Sequence, residues 1–268
     1  MISNLAFVHP NAKLGIGVIV EPFAYIASEV TIGDNTWVGP HATILDGAII
    51  GHNCKIHSGA VVSGIPQDLK FRGEKSTAII GNNTTIRECA TINRGTAARG
   101  ETTVGDNCLI MAYVHIGHDC VVGNNVILVN RVSLAGEVQV DDWAILGGHT
   151  AVHQFCKIGA HAMVSGGSMI LKDVTPYIKA GHYPLTYVGI NAIGLRRRGF
   201  TTEHIAGIQD MCRILFQSSM IYSAACDKIE QEIAPSQYRD EMVNFVRSSK
   251  RGILKPFSDK LKDEDLDQ

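Results

Sequence analysis

Histidines are concentrated in one part of the sequence, where they are the side chains best suited to proton transfer. Between residues 115 and 161 the chain carries five of its 11 histidines: His115, His118, His149, His153 and His161. An imidazole titrates near neutral pH, so it can take a proton from a hydroxyl group and later return it. In the segment HIGHDC, Asp119 directly follows His118. A neighbouring carboxylate can fix the tautomer and orientation of the ring, which makes this pair a candidate general base with its partner.

A plainer interpretation of His118 is a polar residue at a turn. It lies two positions after Ile116 and is expected to point outward. The nearby histidines favour the functional interpretation, but both stay open on the residues alone.

The elements that must position these residues follow from a period of six. Of the 28 positions numbered 8, 14, 20 and so on to 170, 25 are Ile, Val or Leu, and the exceptions are Asp68, Glu74 and Ala98. Small residues such as Ala42 and Cys54 fall four positions after an aliphatic residue. This period is typical of the hexapeptide β-helix, a solenoid of short strands with aliphatic residues pointing into a narrow interior.

The same arithmetic predicts which residues lie above one another. Three hexads make one triangular coil, and coils stack at the strand spacing of about 4.8 Å. Residues three hexads apart share an edge, which puts Gly136 above His118 and Gln154 above Gly136. His153 joins that edge, about 10 Å from His118. Gly136 has no side chain, so its N–H can approach a developing oxyanion.

Two interruptions of the period predict loops. The aliphatic phase breaks near residues 63–79 and near residues 93–103, and it resumes in register each time. Segments that leave and rejoin a repeat are extruded loops, and loops on a rigid fold often carry function. We therefore expect a β-helix over residues 1–176 that carries these two loops.

A change of pattern after Pro176 predicts a second domain. Residues 177–194 follow no period and are expected to be irregular. Helical spacing follows, with Thr201 or Thr202 as the N-cap of a helix and further helices near residues 223–233 and 236–249. We expect a helical domain over residues 177–258 and a charged, disordered tail over residues 259–268. One face of the first helix is expected to contain Ile205, Ile208, Cys212 and Leu215.

Composition limits the class of protein. The chain of 268 residues is 45% hydrophobic with a formal net charge of −2, so it can bury a core and gives no indication of nucleic-acid binding. No apolar window is long enough for a transmembrane helix, and the start of the sequence lacks the features of a secretory signal. We expect a cytoplasmic protein without stable membrane insertion. Reduced cysteines are expected to fill small core positions at Cys54, Cys108, Cys120 and Cys156.

Five motifs carry a resemblance that covers nearly the whole chain. They are QDLK, RECATINRGT, HIGHDC, AVHQFCKIGAH and the stretch ending in LRRRGF. With them the sequence resembles the UDP-N-acetylglucosamine O-acyltransferases of lipid A biosynthesis. The resemblance implies a mainly β fold, a left-handed parallel β-helix followed by a small α-helical C-terminal domain. It also implies a homotrimer with active sites between neighbouring copies.

The resemblance further implies a reaction without a cofactor. An (R)-3-hydroxyacyl group would pass from acyl carrier protein to the glucosamine 3-hydroxyl of UDP-N-acetylglucosamine. His118 takes the role of general base, Asp119 orients it, and the N–H of Gly136 stabilises the oxyanion. Substrate contacts are implied for Asp68, Lys70, His115, His153, Gln154, Asn191, Arg197 and, more weakly, Arg198.

Three positions bear on substrate detail. Glu137 stands where related enzymes have a His, and Ile193 where they have a Glu, which puts the nucleotide and acyl contacts in doubt. Gly166 aligns with the position that limits acyl length in the family. Because a glycine leaves the groove open, we expect a long acyl group of about 14 or more carbons.

Other functions stay open. In solenoid-type carbonic anhydrases, which resemble this chain in repeat type, histidines bind zinc between subunits, and His115, His118 and His153 are candidate ligands. Those enzymes lack counterparts of PQDLKF and GINAIGLRRRGF. The sister N-acyltransferase of lipid A biosynthesis carries an extra N-terminal domain, whereas here the hexads begin by Val8. A non-catalytic solenoid scaffold would need neither an outward His–Asp pair nor the loops.

Overall fold

Short strands follow the period of six along most of the chain. The computed structural model describes residues 1–218 and 220–256. Within them the strands contain two to five residues and succeed one another at nearly constant intervals up to Ile190. The tail expected over residues 259–268 lies outside the described residues.

Three sheets form the faces of a triangular prism. The first sheet contains Phe7–Val8, Tyr25–Ile26, Thr43–Ile44, Val61–Gly64, Thr91–Asn93, His115–Ile116, Ser133–Leu134, Ala151–Val152 and Met169–Ile170. The second contains Lys13–Leu14, Thr31–Ile32, Ala48–Ile50, Thr77–Ile80, Glu101–Val104, Val121–Val122, Gln139–Val140 and Lys157–Ile158. The third contains Ile19–Val20, Trp37–Val38, Lys55–Ile56, Thr85–Ile86, Leu109–Ile110, Ile127–Leu128, Ile145–Leu146, Met163–Val164, Ile178–Gly181 and Thr186–Ile190. Successive strands up to Ile170 pass from sheet to sheet, so the backbone winds as a solenoid.

The register of the strands confirms the predicted stacking. Ile116 pairs with Leu134, and Leu134 pairs with Val152. The turns that follow these strands keep the same spacing, and the N–H of Glu137 donates to the carbonyl of His118 at 2.9 Å. The corner of residue 136 therefore lies directly over the corner of residue 118.

Two loops leave the stack without disturbing it. The first loop (residues 65–76) and the second loop (residues 94–100) each separate two consecutive strands. Across the first loop, Val62 still pairs with Ile92. Because the ladder is continuous, the loops rest on a rigid support.

Inward aliphatic side chains form the core. Ile44, Ile56 and Ile92 are completely buried, and so are the smaller Ala42 and Cys54. Burying an Ile side chain stabilises the fold by about 1.5–3 kcal/mol relative to leaving it exposed. Each coil covers its neighbours, so this free energy is shared along the stack.

The corners of the prism use the left-handed backbone region. The third residue after an inward aliphatic repeatedly has a positive φ, for example 57° at Asn35, 59° at Asp119 and 59° at Glu137. Asn and Asp tolerate this conformation better than most residues, which is why they recur at these corners. Asp119 and the adjacent His118 thus project from one tight turn.

Residues 177–194 were expected to be irregular, and this expectation was wrong. Ile178–Gly181 pairs in parallel with Met163–Val164, and Thr186–Ile190 returns antiparallel to it. Pro184 lies in the connection between these strands. Runs of four or five residues are too short to show a period in a sequence.

Four helices follow the last strand. They are α1 (Ala192–Arg197), α2 (Thr202–Gln217), α3 (Tyr222–Glu232) and α4 (Gln237–Ser248). Thr201 is the N-cap of α2, and the predicted face of that helix is buried. No helix in the described parts of the chain is both long and apolar enough to cross a membrane. The division into two domains stays a prediction.

Candidate active site

The His118 imidazole is held by a buried carboxylate at the edge between the first and second sheets. Its Nδ1 lies 2.8 Å from Oδ2 of Asp119, whose side chain is 0% exposed. A carboxylate only accepts hydrogen bonds, so Nδ1 carries the ring proton and donates it. The Nε2 atom is left with an available lone pair, which a general base requires.

The first loop brings a second carboxylate to the other side of this ring. Oδ2 of Asp68 lies 4.0 Å from Nε2 of His118. A turn holds Asp68, because its Oδ1 accepts the N–H of Lys70 at 2.9 Å. The Lys70 side chain is exposed two residues along the same turn. A carboxylate that can accept a substrate hydroxyl therefore stands at the candidate base, and an exposed ammonium group follows two residues along the loop.

Gly136 lets the backbone of the next coil approach the ring. A Cβ added at residue 136 would lie 2.5 Å from both Cε1 and Nε2 of His118. A side chain does not fit at this distance, so the close approach requires glycine. The Gly136 backbone borders the very ring atom that would accept a proton.

His115 lies on the strand that leads to this corner. Its Nδ1 is 2.8 Å from Oγ1 of Thr91. Burial lowers the pKa of His115, and the nearby His118 lowers it further. The His115 ring is therefore neutral at neutral pH and adds no positive charge beside His118.

His153 and Gln154 lie one coil above Gly136. Nδ1 of His153 donates to the Gln154 carbonyl at 3.0 Å, and the N–H of Phe155 donates to the Gly136 carbonyl at 3.3 Å. The His153 side chain is exposed and Gln154 is half-buried. Both residues share the edge of His118, as the hexads predict.

Asn191 lies at a different edge, between the second and third sheets. Its Nδ2 donates to the carbonyl of His161 at 2.9 Å, and its Oδ1 accepts the N–H of Gly194 at 3.3 Å. The residue is 3% exposed. Both ends of its amide are used, so in this chain Asn191 fixes the start of α1.

The arginines at the end of α1 differ from each other. Arg198 lies 5.3 Å from the ring centroid of Trp143 and donates to Nδ1 of His161 at 3.4 Å. Burial, and then the charge of Arg198, lower the pKa of His161 to about 4, so this ring is a neutral acceptor. Arg197 is exposed. One chain does not bring Arg197 and His118 to the same edge, and Arg198 is engaged in packing.

Gly166 lies on the third edge, between the third and first sheets. It is exposed, and a Cβ added there would lie 3.0 Å from the carbonyl oxygen of Gly148. The two glycines lie on successive coils and leave this part of the edge without side chains.

Sequence reasoning missed the contacts between the second loop and Asp119. Oδ1 of Asp119 accepts the N–H groups of Thr96 at 2.9 Å and Arg99 at 3.2 Å. Oδ2 accepts the Thr96 hydroxyl at 2.6 Å. The Thr102 hydroxyl accepts the N–H of Asp119 at 2.8 Å. The sequence did indicate that the second loop lies near Asp119, because this loop rejoins the solenoid on the coil directly below HIGHDC.

A thiol nucleophile is not favoured at this site. Burial raises the pKa of the Cys120 thiol, beside Asp119, to about 12, so this thiol is a poor nucleophile. Among the residues that the structure describes, no group of three or more His, Cys, Asp or Glu is placed to hold a metal ion.

Comparisons with known proteins give the family. A family model described as UDP N-acetylglucosamine O-acyltransferase, domain 2, matches residues 173–254, and one for the bacterial transferase hexapeptide (six repeats) matches residues 29–64 and 101–136. The acyl-[acyl-carrier-protein]–UDP-N-acetylglucosamine O-acyltransferase of Verminephrobacter eiseniae is 48% identical over 201 residues, which cover 73% of this chain and 77% of that relative. The chain belongs to the UDP-N-acetylglucosamine O-acyltransferase family.

Solved structures of this family are similar along nearly the whole chain. The UDP-N-acetylglucosamine acyltransferase of Bacteroides fragilis has a TM-score of 0.94 at 50% identity and covers 95% of this chain and 100% of its own. The enzyme from Francisella novicida has a TM-score of 0.93 at 42% identity, with 95% and 94% covered. The chain is therefore an acyltransferase, and its fold is a left-handed parallel β-helix with C-terminal helices.

Proposed function

We propose that this chain transfers a 3-hydroxyacyl group from acyl carrier protein to the 3-hydroxyl of UDP-N-acetylglucosamine, the first step of lipid A biosynthesis. Its curated relatives are named for this donor and this acceptor. The observation that carries the proposal is the His118 ring, with Nδ1 bonded to Asp119 and Nε2 beside Gly136. Direct transfer to a hydroxyl group needs such an oriented base.

The reaction begins with proton transfer to His118. Nε2 takes the proton of the 3-hydroxyl as that oxygen attacks the thioester carbonyl, and a new C–O bond forms. The Gly136 N–H donates to the oxyanion of the tetrahedral intermediate. When the intermediate collapses, the C–S bond breaks and the imidazolium gives its proton to the leaving thiolate. Asp119 stabilises the imidazolium throughout.

The polar residues of the edge hold the sugar nucleotide in this proposal. Asp68, 4.0 Å from Nε2, accepts hydrogen bonds from sugar hydroxyls close to the base. The exposed Lys70 ammonium group attracts the diphosphate. His115, His153 and Gln154 complete the contacts from the same edge.

A homotrimer brings the remaining contacts. His118 and Arg197 lie at different edges of one chain, so an active site that contains both needs two copies. The exposed guanidinium of Arg197 suits a diphosphate, because its planar fork binds phosphate oxygens in pairs. Asn191 positions α1 for this contact. We propose the cytoplasm as the location, in keeping with the free cysteines of the described chain.

Acyl length is expected to depend on Gly166. Glycines at residues 148 and 166 leave this part of the edge without side chains, and we expect a preference for about 14 or more carbons. Gly166→Met should shift the preference to shorter chains. Competition between carrier proteins loaded with different acyl groups measures this, and a wild-type preference for about ten carbons would show the expectation to be wrong.

One experiment tests the proposed function directly. The full chain is incubated with UDP-N-acetylglucosamine and 3-hydroxyacyl carrier protein, and mass spectrometry follows the nucleotide. The expected product carries one acyl ester on the sugar. If no acylated nucleotide forms, the proposal is wrong. Acceptance of an acylated sugar in place of the nucleotide would favour the N-acyltransferase reaction.

A further inference from the structure

The second loop bonds to Asp119, the carboxylate of the candidate catalytic pair. Asp119 is buried, and its carboxylate accepts four hydrogen bonds, from Thr96 N–H, Thr96 Oγ1, Arg99 N–H and His118 Nδ1. A buried carboxylate is stable only when its lone pairs are satisfied. Three of the four donors belong to the second loop. The second loop therefore orients Asp119, just as Asp119 orients the ring of His118.

The Thr96 hydroxyl has the most specific position among these donors. Oγ1 lies 2.6 Å from Oδ2, the same oxygen that accepts His118 Nδ1 at 2.8 Å. The hydroxyl itself accepts the N–H of Ala98 at 3.2 Å, so its proton is directed toward Asp119. With one lone pair taken by Thr96, Oδ2 presents the other to the imidazole.

The second loop is also tied to the first loop. Oε1 of Glu74 accepts the N–H of Ala97 at 2.9 Å, and Oε2 accepts the N–H of Arg72 at 2.8 Å. Hydrogen bonds from these backbone groups, with Arg72 first, lower the pKa of Glu74, which keeps it ionised as an acceptor. Thr96 is thus fixed within a network that also includes the loop of Asp68.

We propose that Thr96 is a positioning residue for acyl transfer, acting through Asp119 on the orientation and tautomer of His118. This inference rests on the proposed function. Thr96 touches no reacting atom. Its loss should lower kcat and leave KM for UDP-N-acetylglucosamine nearly unchanged, because Asp68 and Lys70 remain in place.

The test compares Thr96→Val, Thr96→Ser and the wild-type chain in the acyl-transfer assay. Val keeps the shape of Thr without the hydroxyl, and we expect kcat to fall about 10- to 100-fold, the equivalent of one hydrogen bond to a charged group. Ser restores the hydroxyl and should restore most of kcat. Thr36→Val is the matched control, because Thr36 is buried and its Oγ1 donates to the Gly51 carbonyl at 2.9 Å, far from the site. It should lower stability but not kcat.

A double-mutant cycle separates positioning from a merely structural role. If Thr96 acts through Asp119, adding Thr96→Val to Asp119→Asn should cause little further loss of kcat. Full additivity would overturn the inference, and so would a Thr96→Val enzyme with wild-type kcat. If Thr96→Val does not fold, Thr96→Ala enters the same cycle. Absence of product with the wild-type chain would instead overturn the proposed function together with this inference.

Discussion

At the scale of single residues, the chemistry depends on which nitrogen of His118 carries the proton. The bond from Nδ1 to Asp119 leaves Nε2 as the acceptor, next to Gly136 and 4.0 Å from Asp68. Among the described residues, no other side chain both bonds to a buried carboxylate and lies beside Gly136. The base and the orienting carboxylate are therefore expected to behave as one unit in kinetics.

Removal of the base gives the first prediction. His118→Ala should lower kcat by about 100- to 10,000-fold, because general-base assistance is lost. The fold should persist, since Asp119 keeps its bonds to Thr96 and Arg99. Steady-state kinetics and a thermal melt measure the two effects. More than a tenth of the activity remaining would rule out the base assignment.

The close approach at Gly136 gives the second prediction. In Gly136→Ala the new Cβ would lie 2.5 Å from two atoms of the His118 ring, so the ring must move. We expect a fall in kcat of about 100-fold, as for a misplaced catalytic group.

The control for this substitution is Gly207→Ala in α2, where a new Cβ meets no heavy atom within 4 Å. It should leave kcat unchanged and stabilise the helix by about 0.5–1 kcal/mol. If both variants have the same kcat, the contact at Gly136 has no catalytic meaning.

Sequence reasoning reached some of these residues and not others, for a physical reason. The stacking of Gly136 on His118 follows from strand pairing, which repeats along the chain and can be counted. Thr96 belongs to a loop whose path has no period, so its contact with Asp119 could not be counted. The same holds for the contact of the Arg198 guanidinium with Trp143, while the weaker expectation that Arg198 binds the nucleotide stays a prediction.

At the scale of elements, a column of rings joins the solenoid to the helices. His161 stacks between Trp143 and Tyr177, with ring centroids 6.2 and 5.7 Å apart. Its carbonyl accepts Asn191 Nδ2 and its Nδ1 accepts Arg198. The placement of α1 therefore depends on a neutral imidazole.

This dependence predicts an effect of pH on stability. Folding lowers the pKa of His161 from 6.5 to about 4, so the unfolded chain binds more protons between these values. The contribution of His161 is complete above pH 6.5 and is lost as the pH falls toward about 4. The free energy of unfolding should fall accordingly in acid.

The variant His161→Phe isolates this effect, because Phe can stack between the same rings and does not titrate. Urea unfolding at several pH values should show a stability difference that moves in favour of the variant as the pH falls. Parallel pH profiles for the two proteins would contradict the prediction.

A sequence period predicts long elements better than short ones. The buried face and the Thr201 cap of α2 agree with the sequence, because a helix of 16 residues displays its period several times. The strands Ile178–Gly181 and Thr186–Ile190 were not predicted, because each has at most five residues and so contains no more than two and a half repeats of the two-residue strand period.

At the scale of the whole molecule, one chain presents an incomplete set of contacts. The edge of His118 carries the base, and the corner that supports α1 carries the exposed Arg197. The proposed trimer would let one copy supply the base edge and its neighbour the arginine. The repeat predicts the edges of one prism, but it says nothing about how prisms meet.

Mixed assemblies test this arrangement. Chains with His118→Ala and chains with Arg197→Ala should each be nearly inactive, and their co-expression should restore part of the activity. Restoration is expected because some sites combine an intact base edge with an intact arginine. Co-expression of His118→Ala with Gly136→Ala is the control, since every base edge is then defective. Equal results for both pairs would place each complete site in one chain.

The way the stack ends has a consequence for assembly. The backbone of Asp173 exchanges hydrogen bonds with Gly252 and Leu254, so the C-terminal segment covers the last coil on the side of the second sheet. At the opposite end, Phe7–Val8 is the outermost strand of its sheet. A chain cut after residue 170 would lose this cover. The unsatisfied backbone groups on its last coil would then match those on the first coil of another molecule. Such chains should polymerise head to tail into filaments, because this contact does not close on itself.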